Sequence, residues 1–329
     1  NPRDPSRRLR VGYFSPDFRA HSVGYFIEPI LQHHDPAEVE AVCYYTGSNP
    51  DAATQRMKEL AHRWVELGPN RSPEWIARIR NDQVDILVEL SGHSHGNCLP
   101  MLAQRLAPIQ ATYLGWPATT GLPTMDWRIV DAITDPPGSE SACIEKLARL
   151  DGCFLCYRPP DAAPEPAPGP LGRGEPVTFG SFNAPFKISD TTVDLWSRLL
   201  QSVPHSRLLL KASGLARAPL SNFLRERFES RGIGADRLTL LDYIDDAGGH
   251  LGAYSRIDIA LDTIPYGGTT TTCEALWMGV PVITLTGSSH AARVGTSILT
   301  AAGLTELVAA SPDELVSIGG EPYLLIDTA

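Results

Sequence analysis

Apolar runs of strand length and amphipathic stretches of helix length alternate along this chain twice, once on either side of a proline-rich interruption. That doubled alternation constrains the fold more than any other feature. A parallel strand rejoins its sheet only through a crossover, so repeated strand–helix order implies parallel sheets with helices on both faces. In the first half, residues 9–15, 40–45, 84–89, 109–113 and 127–130 read as strands; 23–34, 52–60, 73–80 and 99–105 read as helices. In the second half the strands fall at 177–182, 207–210, 238–241, 257–261 and 282–286, and the helices at 191–202, 222–231, 250–255, 271–278 and 291–302. The expected class is α/β, two Rossmann-like doubly wound domains facing across a cleft, with ligands collecting at the carboxyl ends of the strands.

The interruption at 158–176, RPPDAAPEPAPGPLGRGEP, has no apolar period and reads as a semi-rigid linker. It sets a first domain at 1–160, a linker at 161–176 and a second domain at 177–329. A length of 329 residues suits two domains, and 43% apolar residues suffice for two cores.

Charge narrows the partners. The 28 Lys and Arg against 38 Asp and Glu leave a net charge of −10, without a basic run, which argues against nucleic acid as a partner. No apolar run approaches the ~18 residues of a membrane span, and the start lacks the apolar core of a secretory signal. The expected location is the cytoplasm. The chain has no initiator Met and is read as the catalytic portion of a longer protein. Six cysteines suit reduced thiols, and Cys153 and Cys156 read as part of a buried strand pair rather than a redox or metal motif.

No dinucleotide fingerprint follows the first strand, and neither a P-loop nor an Asp-x-Asp occurs. The strongest local signal is DTIPYGGTTTTCEALWMGVPV, residues 262–282. There a strand ends at Asp262, Gly267 and Gly268 turn the chain, and Thr269, Thr270, Thr271 and Thr272 open a helix. Free amides, the positive helix end and hydroxyls together suit a diphosphate held without a metal, with Glu274 accepting from ribose hydroxyls. An ordinary threonine N-cap is the alternative reading.

These residues, with SPDFRAH at 15–21, PIQATYLGWPATTG at 108–121 and FGSFNAPFKI at 179–188, resemble the O-linked N-acetylglucosamine transferase family, which includes the SPINDLY proteins. The resemblance covers nearly all of the chain. It implies a GT-B fold and inverting, metal-independent transfer from UDP-N-acetylglucosamine to Ser or Thr hydroxyls of proteins. It leaves open fucosyl or glucosyl transfer on the same fold, or a non-catalytic nucleotide-sugar sensor. No cofactor is implied, because the UDP-sugar is a substrate. Relatives capture acceptor proteins through tetratricopeptide repeats, which this chain does not contain.

Residue by residue, the resemblance assigns Lys187 to the leaving diphosphate with Thr270 and Thr271. Asn183, His250, Thr269 and Glu274 join them around the donor. It places His21 at the active site, where an imidazole can relay the acceptor proton or hydrogen-bond the sugar; a helix-capping histidine is the other reading. Gly115, Pro117, Thr119, Thr120 and His93 are expected to line the cleft. His93 and His95 alone make a poor metal pair, and no metal site is expected. Arg293 is read inside a helix, facing either the cleft or solvent. Ala247 departs from the family, which often has a basic residue there, and Ala184 stands where relatives can carry glutamine. The C-terminus stops where relatives continue into a closing helix.

Overall fold

The largely apolar run Leu9–Ser15 builds β1, whose last five residues are buried. The computed structural model describes residues 7–70 and 72–322, so the chain's start and its last seven residues, on which two of the sequence expectations fall, lie outside them. Two compact units divide after Arg158, giving 1–158 and 159–329.

In the first unit β1 is followed by α1 (Ser22–His33), β2 (Val39–Tyr45), α2 (Ala52–Leu60), β3 (Arg63–Glu66) and α3 (Pro73–Asn81). Then come β4 (Ile86–Glu89), α4 (Leu99–Leu102), β5 (Ile109–Thr112), β6 (Trp127–Asp131) and β7 (Lys146–Leu150). All seven strands are parallel, in the order β3-β2-β1-β4-β5-β6-β7. Phe14, Val42, Tyr44, Trp75, Ile79, Leu87 and Leu102 centre the core on one face.

The second unit runs β8 (Thr178–Ser181), α5 (Asp190–Ser202), β9 (Arg207–Lys211), α6 (Leu220–Glu229), β10 (Leu238–Leu241) and α7 (Ala247–Gly252). It continues with β11 (Ile259–Leu261), α8 (Thr270–Trp277), β12 (Val282–Leu285), α9 (Val294–Ala301), β13 (Val308–Ala309) and α10 (Pro312–Gly320). Its six strands, also parallel, follow the order β10-β9-β8-β11-β12-β13. One cluster around Phe179, Trp196, Leu199 and Phe228 fills one side, and another around Leu251, Tyr254, Ala275 and Leu299 fills the other. Strand order reverses between β1 and β4 in the first sheet and between β8 and β11 in the second. Loops leaving these neighbours diverge to opposite faces and leave a crevice at the strand ends.

Several expectations change. β3 and β7 sit at the sheet edges, where charged residues such as Arg63, Glu66, Lys146 and Arg149 hide the apolar alternation. The helix expected at 99–105 ends at Leu102, and Arg105 takes a left-handed φ of 49°. Cys153 and Cys156 are in no strand, and Cys156 is exposed. Arg293 precedes α9 instead of lying within a helix, since His290–Ala292 form a separate short turn.

The proline-rich stretch is fastened to the second unit. Asp258 accepts from the Leu171 amide at 2.9 Å and the Thr178 amide at 2.8 Å, while Arg173 donates to the carbonyls of Pro168 and Ser255. A chain rich in proline carries few N–H donors, so lying against a surface strands few polar groups.

Trp196, fully buried on α5, anchors the larger cluster of the second unit. Trp196→Ala is expected to destabilise that unit by about 3–5 kcal/mol, read as a lowered urea midpoint of its unfolding transition.

Candidate functional site

The β8/β11 crevice assembles the predicted residues of the second unit. From β8 the chain passes through buried Asn183 into a short turn, Pro185–Lys187. From β11 it passes through Asp262 to the Gly267-Gly268 turn and α8. Lys187 Nζ donates to the Gly267 carbonyl at 2.7 Å and lies 3.9 Å from the centre of the Tyr266 ring, joining the two loops. Burial pushes the Lys187 ammonium down to about 8, against the pull of Asp262.

Asp262 is buried. Its carboxylate accepts from the Gly268 amide at 2.5 Å, the Thr263 amide at 2.9 Å and the Thr284 hydroxyl at 2.8 Å. A Cβ at Gly267 would lie 2.7 Å from Asp262 Oδ2, and one at Gly268 would lie 2.5 Å from Thr271 Oγ1. Only glycine permits so close an approach. Burial raises the Asp262 carboxyl, and these hydrogen bonds oppose the rise.

The threonines do not behave as an ordinary cap. Thr269 occupies the N-cap position of α8 without a side-chain cap hydrogen bond. The first amides of the helix have no intrahelical partner, and the helix start is open to an anion. Thr271 Oγ1 donates to Asn183 Oδ1 at 3.2 Å, tying the β8 loop to the same turn. Thr270 and Thr271 are half-buried and Thr272 is buried.

Glu274 lies beneath, with a side chain drawn into a network. Glu274 Oε2 accepts from His250 Nε2 at 3.0 Å and from the Tyr254 hydroxyl at 3.1 Å. Lys211 Nζ stands 2.5 Å from His250 Nδ1 and 4.8 Å from the Phe182 ring centre. Lys211 was not among the residues read from sequence. Its signal is a lysine closing the otherwise apolar run Leu208-Leu209-Leu210 and almost wholly buried. Burial pushes it down to about 8, with Glu274 opposing.

The remaining predicted residues belong to the first unit. His21 is the N-cap of α1, its Nδ1 accepting from the Val23 amide at 3.2 Å, with Asp17 Oδ2 3.8 Å away. Burial lowers the imidazole below its ordinary value, against the pull of Asp17. With Nδ1 accepting, a neutral ring carries its proton on Nε2.

His93 Nε2 bonds the Thr120 carbonyl at 2.9 Å and its ring meets Trp116 edge-on. Glu145 accepts from the Thr119 hydroxyl at 2.7 Å and from the Thr120 amide at 2.7 Å. Gly115 is obligatory, because a Cβ there would fall 1.9 Å from the Leu90 carbonyl; Pro117 is half-buried in the same loop. Beneath lies Glu89, fully buried, accepting from the amides of Ser91 and Gly92. The five expected residues thus form one braced loop pair at the ends of β4 and β5. Among the described residues no group of three or more His, Cys, Asp or Glu has the arrangement of a metal site.

Residues 2–157 and 173–321 match the model of Glycosyl transferase family 41. The chain belongs to that family. It is 44% identical over 326 residues to a probable UDP-N-acetylglucosamine–peptide N-acetylglucosaminyltransferase SPINDLY of Arabidopsis thaliana, covering 97% of this chain and 35% of that protein. A UDP-N-acetylglucosamine–peptide N-acetylglucosaminyltransferase of Caenorhabditis elegans is 26% identical, over 95% of this chain and 37% of its own length. The family 41 chain thus spans about a third of the length of these curated relatives. A mutant of the Thermobaculum terrenum O-GlcNAc transferase superposes with a TM-score of 0.92 at 41% identity, covering 97% of this chain and 60% of that one. At 11% identity, the lipopolysaccharide outer core galactosyltransferase WaaB shares the fold alone, with a TM-score of 0.55. The architecture is GT-B. No helix among the described residues is long and apolar enough to cross a membrane.

Glu89 generates a stability prediction. Burial pushes its carboxyl up from 4.5 to about 7, with Glu145 adding and the Gly92 and Ser91 amides opposing. A raised folded-state value gives a contribution present below the ordinary glutamate range and lost as pH rises through about 7. The melting temperature of the first unit is expected to fall between pH 5 and 8, and Glu89→Gln to flatten that slope. Equal slopes for parent and variant would contradict it.

Proposed function

We propose that this chain is the transferase portion of a protein O-GlcNAc transferase, moving N-acetylglucosamine from UDP-N-acetylglucosamine to Ser or Thr hydroxyls of proteins. The observation that carries the reading is the meeting of Lys187, the uncapped threonine helix start and the Asp262-braced glycine turn at one strand-order reversal. The diphosphate lies over the first turn of α8, and Lys187 supplies the mobile positive charge. One of the three ammonium donors is engaged by Gly267, which leaves two for ligand oxygens.

The chemistry is a single inverting displacement. An acceptor oxygen bonds to the anomeric carbon from the face opposite the diphosphate, the carbon–oxygen bond breaks with its electron pair passing to the diphosphate, and the acceptor hydroxyl gives up its proton to water. Charge grows there as the bond lengthens, and donors fixed before reaction are worth most against developing charge. Amides, hydroxyls and Lys187 together supply this stabilisation without a metal.

His21 takes a role its geometry suits. The Nδ1 lone pair is held by the helix cap, so the neutral ring offers Nε2–H as a donor to sugar or acceptor and is poorly placed to accept a proton. His21→Asn keeps a capping side chain. It is expected to lower kcat by about tenfold, well short of the ~10²–10⁴-fold contributed by a general base.

Lys187→Ala is expected to lower kcat by ~10²–10³-fold. Because Lys187 sits at about 8, activity should decline as pH rises through that value. Hydrolysis of UDP-N-acetylglucosamine, GDP-fucose and UDP-glucose, with chromatography of the released sugar, tests the donor. No turnover of UDP-N-acetylglucosamine would overturn the proposal; turnover of GDP-fucose alone would make this a fucosyltransferase, and binding without turnover a sensor.

A further inference from the structure

We infer that Lys211 is a positioning residue, fixing the tautomer of His250 and balancing the charge of Glu274 so that Glu274 presents its free oxygen to the sugar hydroxyls of a bound nucleotide. The ligand half rests on the nucleotide-sugar reading above; the network itself does not. An ammonium can only donate, so the Nδ1 atom 2.5 Å from Lys211 accepts. The proton of the neutral ring is then on Nε2, the atom 3.0 Å from Glu274 Oε2. The Tyr254 hydroxyl reaches the same oxygen at 3.1 Å, and also the Thr271 carbonyl at 3.1 Å. Both contacts therefore fall on Oε2, and Oε1 has no hydrogen-bond partner among the described residues.

Charge explains why a buried lysine belongs here. Glu274 is buried in the first turns of α8, a few residues from the amides read as a diphosphate site. An uncompensated carboxylate at that point would repel the diphosphate. Lys211, exposed by only 2%, supplies the opposite charge from β9 through His250. Lysine, neutral imidazole and carboxylate sum to zero, and the positive helix end remains for the ligand. Such supporting partners set the orientation and charge of the groups that touch substrate.

The test uses the whole chain with UDP as the probe and two replacements of similar size. Lys211→Gln keeps a donor for His250 Nδ1 and removes the charge; Lys211→Met removes both. Long-range ¹H–¹⁵N spectra of the imidazole should show Nε2–H His250 in the parent and in Lys211→Gln, and a loss of that preference in Lys211→Met. Calorimetry should show UDP bound about tenfold more weakly by Lys211→Met, with Lys211→Gln intermediate. KM for the donor should rise more than kcat falls. An Nδ1–H tautomer in the parent would overturn the inference without any variant, even if neither replacement folds. Indistinguishable Gln and Met variants would overturn it too. A parent with the Nε2–H tautomer that does not bind UDP would sink the nucleotide reading and the ligand half, leaving Lys211 a purely structural partner of His250.

Discussion

The buried carboxylate of Asp262 is the interaction on which the second unit's site depends. It stands at the end of β11 and holds the Gly268 amide and the Thr284 hydroxyl, so it fixes the turn that aims α8. Gly267 and Gly295 let the backbone come so near, since a Cβ at either would lie 2.7 Å from the same carboxylate. Lys187 reaches across from the β8 loop to the carbonyl of Gly267 and offsets the buried charge at short range. Without Asp262 the glycine turn would have several competing conformations, and the helix start would lose its fixed direction.

This arrangement also reconciles an acidic chain with an anionic ligand. The net charge of −10 acts over the whole surface, where salt screens it beyond about a Debye length. Within the crevice the relevant charges are half-buried Lys187, buried Lys211, two buried carboxylates and the end of one helix. Each carboxylate has a lysine close enough to oppose its burial, Asp262 with Lys187 and Glu274 with Lys211. The two pairs leave amides, hydroxyls and the remaining Lys187 donors free for a ligand.

Much of this was legible before the structure. The alternation that produced β1, β2, α2 and β10 was plain, because charges such as Arg10, Glu40 and Lys58 fall near strand starts or on an exposed face and interrupt few of the buried positions. The glycine–threonine segment was legible as a turn opening a helix at a strand end, and the family resemblance singled out Lys187, which the structure places against that turn. Lys211 was not, since a lysine after three leucines reads as the place where a strand meets water. Glu89 and Glu145 were missed for a related reason: nothing local says that two separate loops will fold over them. His21 was correctly placed at a helix start, while its engagement as a cap through Nδ1 needed the backbone geometry. The proline-rich stretch read as a spacer because its partner, Asp258, lies some 90 residues away in the sequence.

The most direct measurement is a crystal structure of the chain with UDP bound. The account predicts the diphosphate over the amides of Thr270, Thr271 and Thr272, within hydrogen-bond distance of Lys187 Nζ, and a ribose hydroxyl at Glu274 Oε1. A diphosphate lodged away from α8, or a Lys187 ammonium turned from it, would contradict the account.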